Sequence, residues 1–241
     1  MKFRSTRDPE STVDFCTALE RGIAPDGGLY VPVSLPRHSI DDFDGCDTLA
    51  TVAECLLRPF VQGTALAPEL ADICSESFSF PIPLLRLQDA PEQLSVLELF
   101  HGPTAAFKDV GARFLAASLE RMNADRERPL TILVATSGDT GGAVAAAFHG
   151  RPNVRTVILY PLGLVSPRQE KQLTCWGGNV TTLAVEGSFD DCQRLVKQAF
   201  ADPGLREAHR LSSANSINIG RLLPQTVYYA LASLSLWRSE A

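Results

Sequence analysis

The stretch from Thr131 to Phe148, TILVATSGDTGGAVAAAF, decides the fold. It opens on an apolar, β-prone run, TILVA, that reads as a buried strand. A tight glycine-containing turn follows, and then a helix of small residues. Ser137, Gly138, Asp139, Thr140 and Gly141 occupy the junction, where backbone N–H groups without helical partners gather. Such a junction suits an anion, but Ser, Asp and Thr also cap helices for purely structural reasons. A nucleotide site is a further alternative. The spacing GDTGG is not GxGxxG, however, and the next strand ends in Tyr160 and Pro161 where a dinucleotide site needs an acidic residue.

Outward from that stretch the same alternation recurs. Strands are expected over Val154 to Tyr160, Asn179 to Val185 and a short segment around Leu211. Helices are expected over Gly142 to Phe148, Pro167 to Trp176, Phe189 to Ala201 and Ile219 to Trp237. Strands alternating with helices predict an α/β fold with a parallel sheet, right-handed crossovers and flanking helices. Residues 1–95 read differently, as short helical segments punctuated by Pro25, Pro32, Pro36, Pro81 and Pro83, with FSFPIPLLRL as a boundary connection. A division into residues 1–95 and 96–241 follows. Leu222, Leu223, Val227, Tyr228, Leu231, Leu234 and Trp237 make the last helix more apolar than a solvated one, so it is expected to lack a packing partner.

LELFHGPTAAFKDVGAR, Leu97 to Arg113, places one lysine in an apolar, glycine-punctuated setting. Val96 to Phe100 is β-prone, HGPT is a turn signal, and Phe107, Val110, Phe114 and Leu115 recur near helical spacing. Lys108 therefore falls where a strand hands over to a helix. The helix dipole and the neighbouring Phe107 both disfavour the ammonium, and a lysine that yields its proton can attack a carbonyl to form a Schiff base. A surface ion pair with Asp109 is the structural alternative. His101, seven residues earlier, is either a positioning group or a turn histidine satisfied by backbone.

The third constellation is SSANSINIGRLLPQTVYY, Ser212 to Tyr229. Asn215, Ser216 and Asn218 supply short amide and hydroxyl donors, and Arg221 follows on the expected first helical turn. A guanidinium among such donors can cradle a phosphate. A capping loop followed by an exposed arginine is the plainer reading.

Together, ELFHGPTAAFKD, ATSGDTGGAVA, YPLGLVSPRQEKQ and SANSINIGRLLPQ resemble the threonine synthases, in the branch with an extra N-terminal domain, and APDGGLYVP (Ala24 to Pro32) resembles that family's opening segment. The resemblance implies the N-terminal and small domains of a fold type II pyridoxal 5'-phosphate enzyme, which converts O-phosphohomoserine and water into L-threonine and phosphate. By position, Lys108 is implied as the lysine that holds the cofactor and shuttles protons, and Asp139 as its neighbour beside the phenolic oxygen. Ser137 and Thr140 match the substrate loop. Asn215, Ser216 and Arg221 match positions that contact the substrate's phosphate. Lys171 also belongs to a shared motif, although QEKQ suits a solvated helix face better. Members of the family continue well beyond this chain's length. The cofactor domain is thus expected to be incomplete here, lacking the glycine-rich phosphate loop and the hydroxyl residue facing the pyridine nitrogen, with a C-terminal complementing chain as a conceivable partner. Gly177 and Gly178, the only later glycine pair, are expected to end a helix and turn.

The composition fits a globular chain: 241 residues, 45% hydrophobic and 21% charged. A net charge of −6 argues against general nucleic-acid or membrane-surface binding. No signal peptide or membrane span is expected. Six cysteines without CxxC pairing read as reduced thiols of a cytoplasmic protein, and four dispersed histidines give no metal site. Two other functions share these residues: a related cofactor-dependent phospho-lyase or dehydratase, and a non-catalytic fragment or partner-binding α/β module. A nucleotide-binding module is more distant.

Overall fold

A computed structural model describes residues 1–88 and 94–240. In chain order its elements are β1 (Phe3–Ser5), β2 (Thr12–Val13), α1 (Phe15–Arg21), β3 (Tyr30–Pro32), α2 (Leu49–Val61), α3 (Leu70–Ser77), β4 (Leu84–Arg86), β5 (Ser95–Leu97), α4 (Asp109–Met122), β6 (Leu130–Ala135), α5 (Asp139–Phe148), β7 (Val154–Pro161), α6 (Pro167–Thr174), β8 (Val180–Val185), α7 (Phe189–Ala201), α8 (Pro203–His209), β9 (Leu211–Ser212) and α9 (Ile219–Glu240), with a short 3-10 turn at Ile40–Phe43.

Four strands form the parallel sheet, in the order β8-β7-β6-β9. β6 is central, and five of its six residues are buried, as a continuous apolar run in a covered parallel sheet requires. Ile132 and Val134 join a core with Ala143, Val144 and Phe148 of α5. Leu133 and Ala135 look the other way, toward Cys192, Val196, Ala199 and Phe200, which recur on one face of α7. β8 lies at an edge and buries only Val180 fully. The small residues of α4 and α9 let those helices cross closely: a Cβ on Gly111 would sit 2.9 Å from the Arg221 carbonyl oxygen.

Two small antiparallel sheets lie outside this one. β2-β1-β3 occupies the N-terminal region, where sequence suggested only short helices, and β4-β5 forms within and beyond the expected boundary connection. The expected strand at Val96 to Phe100 is thus a three-residue strand paired to β4. It ends at Leu97, well before the helix that Lys108 starts. The main core is continuous from Phe3 through Leu57 and Leu115 to Leu234, so both sides of residue 95 contribute to it. Ion pairs add to the join: Glu76 of α3 pairs with Arg121 and Arg151, Glu120 with Arg151, and Glu69 with Arg121.

One polar knot fixes the start of two strands. Asn179 Nδ2 donates to the carbonyls of Phe148, Arg151 and Val154 at 2.7, 3.0 and 2.8 Å, while its Oδ1 accepts from the Gly150 N–H at 2.9 Å. Gly178 before it turns the chain at φ +64°, as the glycine pair suggested, but α6 ends earlier, at Thr174, and its cap is Cys175 rather than a glycine. Asn179→Ala leaves the Gly150 N–H without its acceptor, while the Phe148 and Arg151 carbonyls keep the N–H groups of Arg151 and Val154 at 3.3 Å, and should cost about 1–3 kcal/mol in urea unfolding. A loss under about 0.5 kcal/mol would show that water replaces the side chain.

Candidate active site

Lys108 sits immediately before α4, with no side-chain cap of its own. Its neighbour Asp109 is buried and committed elsewhere: Oδ2 accepts from the Thr104 N–H at 2.9 Å and Oδ1 from the Thr104 hydroxyl at 2.5 Å. The lysine therefore does not pair with Asp109. Its Nζ lies 3.4 Å from Asp139 Oδ2, across to the start of α5, and 5.3 Å from the centre of the Phe107 ring. The Tyr228 hydroxyl of α9 donates to the Phe107 carbonyl at 2.5 Å and so anchors the residue before Lys108. Burial pushes the Tyr228 phenol well above its ordinary range, which keeps it a donor.

The junction between β6 and α5 is built around Thr136. Its buried hydroxyl accepts from the N–H groups of Gly138 and Gly141 at 3.0 and 2.8 Å, leaving Ser137 exposed at the tip. Gly138 adopts φ +140°, and a Cβ there would lie 2.5 Å from Gln169 Nε2. Only glycine satisfies both the backbone and the close approach. Gln169 uses that space to donate to Asp139 Oδ1 at 2.7 Å. The Gln169 amide first, and the Lys108 ammonium after it, hold the Asp139 carboxyl below its usual range against an opposing effect of burial.

Strand order creates a cleft beside this loop. From β6 the chain moves outward through β7 and β8, then returns through α7 to place β9 on the other side of β6. Ligands of open α/β sheets bind outside the carboxyl ends of the strands at such a reversal. β9 pairs only with Thr131 and Ile132, so the last residues of β6 have no neighbour on that side. The opening is a cavity of about 250 Å³ lined by Val134, Ala135, Thr140, Ser213, Asn215 and Ser216, with Phe189, Gln193, Val196 and Lys197 of α7 on its far wall.

The structure thus brings Lys108 and Asp139 together, and joins Thr140, Asn215 and Ser216 in the adjoining cleft. Ser137 lies on the loop between Thr136 and Gly138, exposed. Arg221 is not on the cleft wall and is not exposed: it has no accessible surface, and its Nη1 donates to the Ala214 carbonyl at 2.8 Å. Its Nε and Nη2 have no partner among the described residues. Burial draws its pKa down to about 10, which leaves it charged at neutral pH. Asn218 is also structural, since Nδ2 donates to the Leu19 and Ser213 carbonyls and Oδ1 accepts from the Gly220 N–H. His101 pairs with Glu98 at 2.6 Å, and Lys171 is exposed on α6. Sequence reasoning missed Thr136 and Gln169; Gln169 stands inside YPLGLVSPRQEKQ, whose only residue weighed for function was Lys171.

A phosphorylated aldehyde such as pyridoxal phosphate fits what these residues offer. An amine stands at a helix start beside a carboxylate that the Gln169 amide holds in place. A family model described as pyridoxal-phosphate dependent enzyme matches residues 77–234, and one described as threonine synthase N terminus matches residues 2–78. Threonine synthases of Serratia marcescens and Escherichia coli are each 46% identical over 231 residues, which is 95% of this chain and 53% of those proteins. The solved PLP-bound threonine synthase of Brucella melitensis superposes with a TM-score of 0.88 at 43% identity, covering 98% of this chain and 52% of that one. The Escherichia coli threonine synthase structure gives 0.84 at 46% identity, covering 95% and 53%. The chain spans about half the length of the curated relatives it matches. On the strength of the match through residues 77–234, the chain belongs to the pyridoxal-phosphate dependent enzymes, and its likeness within that family is to the threonine synthases.

Proposed function

We propose that this chain carries the lysine and substrate loops of a threonine synthase, which turns O-phosphohomoserine and water into L-threonine and phosphate. The observation that carries the proposal is the meeting of Lys108 with Asp139, with Thr140, Asn215 and Ser216 in the adjoining cleft. Pyridoxal phosphate, when bound, supplies the electron sink for carbanion chemistry. Lys108 would hold it, and Asp139 would stand beside its phenolic oxygen.

The remaining steps belong to the chain's own groups. Lys108 Nζ moves a proton at the substrate's Cα and then at Cβ, positions it can serve in turn because its stem is flexible. Loss of the Cβ proton sets up departure of the γ-phosphate; a proton then returns to Cγ, water adds at Cβ, and a last proton returns to Cα. Ser137 and Thr140 orient the substrate from the start of α5, where hydroxyls and helix N–H groups favour an anionic group. Asn215 and Ser216 stabilise charge that develops on the leaving phosphate from the cleft wall, and Arg221 adds its positive charge from behind that wall.

Two further points complete the reading. Leu222, Tyr229, Leu236 and Trp237 of α9 are exposed, and they offer a surface for a complementing chain carrying the rest of the cofactor site. The six free cysteines suit the cytoplasm, and among the described residues no helix is long and apolar enough to cross a membrane.

The test is an absorbance spectrum of the purified chain with added pyridoxal phosphate, then borohydride reduction and mass mapping. The expected result is a single label on Lys108, with phosphohomoserine turnover once the complementing part is supplied. Label spread over surface lysines, or turnover absent from the completed protein, would sink the assignment.

A further inference from the structure

We propose that Lys197 of α7, with the Asn215 amide and the Ser216 and Thr140 hydroxyls, forms the phosphate seat in the cleft between β6 and β9. The inference rests on the reading just given and adds a residue to it that the sequence motifs did not single out. Every polar side chain among the described residues lining the cleft is a hydroxyl, an amide or this one ammonium, and none is a carboxylate. That donor set selects anions. Its volume, about 250 Å³, falls just below the range of about 300–1,000 Å³ typical of sites that enclose a whole small molecule. The cleft therefore suits the head of a ligand, and a phosphate monoester is the head that this wall recognises.

Of three other cations close by, two are paired and the third is buried behind the wall. Lys108 pairs with Asp139, Arg194 with Asp191 at 2.7 Å, and Arg221 lies behind the Ala214 carbonyl, away from the lining. Exposed Lys197 makes no ion pair with any described residue. Asn215 is oriented for the same purpose. Its Oδ1 accepts from the Ile217 N–H and from the Ser216 hydroxyl, both at 3.3 Å. The backbone donor fixes which end of the amide is oxygen, so Nδ2 is the end left without a described partner. Lys197 on one wall and Asn215 on the other border a space that Val134, Ala135, Phe189 and Val196 line with apolar atoms. In such a setting a charge-assisted hydrogen bond is stronger than at an open surface.

The test is calorimetric titration with inorganic phosphate at fixed ionic strength, using the 241-residue chain as wild type, Lys197→Gln, Lys197→Arg and Arg194→Gln. Thermal melts show that each variant is folded. Wild type should bind saturably, and Lys197→Gln should weaken binding about tenfold or more, the effect of losing one charge-assisted bond. Lys197→Arg should stay within about threefold, because the charge is kept, and Arg194→Gln should bind as wild type does. Equal affinity in wild type and Lys197→Gln overturns the proposal, as does an equal loss in Arg194→Gln or no saturable binding by wild type. Borohydride trapping at Lys108 is run on the same four proteins. Trapping that succeeds while phosphate binding ignores Lys197 sinks this inference alone. Trapping that fails everywhere sinks the cofactor assignment and leaves the phosphate result standing.

Discussion

Lys108→Ala should abolish the single borohydride-trapped label and, in the completed protein, lower turnover by about 10³-fold or more, since one group is asked both to hold the cofactor and to move protons at two carbons. The substitution should cost little stability. Lys108 precedes α4, its ion pair with Asp139 is partly solvated, and pairs of that kind contribute about 0–1 kcal/mol. The useful contrast is therefore between an almost unchanged urea midpoint and an absent label. Exogenous alkylamines offer a further check, because they can return a proton carrier to the vacated space. If Lys108→Ala kept its turnover with a native melt, the proton chemistry would have to reside elsewhere, and no other lysine stands at a helix start beside Asp139.

Arg221→Met should act in opposite directions on stability and function. A guanidinium with no accessible surface, one bond to Ala214 and two unanswered nitrogens destabilises the free chain. A side chain of similar reach without those donors removes that burden, and the free chain should gain about 1–3 kcal/mol in urea unfolding. Turnover of the completed protein should fall by about 100-fold or more as the leaving phosphate loses the positive charge behind the cleft wall. Burial lowers the folded-state pKa to about 10, so the folded chain holds its proton less tightly than the unfolded one. The penalty is accordingly present throughout the neutral range and is relieved only as pH rises above about 10. If Arg221→Met instead destabilises the free chain, the guanidinium is a structural post and the phosphate role passes to the cleft wall alone.

The parallel sheet was legible because burial on both faces writes itself into sequence as runs such as LTILVA and VILYP, and because capping residues mark where helices begin. α6 and α7 start where SPRQ and SFDD place a serine three residues before its reciprocal partner. The site was legible in its residue types and less so in its geometry. Asp109 looked like the partner of Lys108 because it is adjacent, yet Thr104 takes both of its oxygens, a fact of the folded turn. Arg221 looked exposed because arginines usually are. The cleft itself depends on how soon β9 stops pairing with β6, and a two-residue strand leaves no periodic signal. Lys197 was invisible for a similar reason. On α7 it reads as one more charge on a solvated face, and only the return of the chain beyond β9 gives it something to face.

The ionic cluster of Glu76, Glu120, Arg121 and Arg151 lies where the strands begin, and Lys108, Asp139 and the cleft lie where they end. The eight residues of β7 separate the two levels by about 25 Å at the usual rise of a strand, more than two screening lengths in physiological salt. The charges of that foundation therefore contribute little to the field felt at the working end. A designer looking for a place to splice in a sensor or tether should choose the lower rim, where the chain has fasteners to spare and no chemistry to protect.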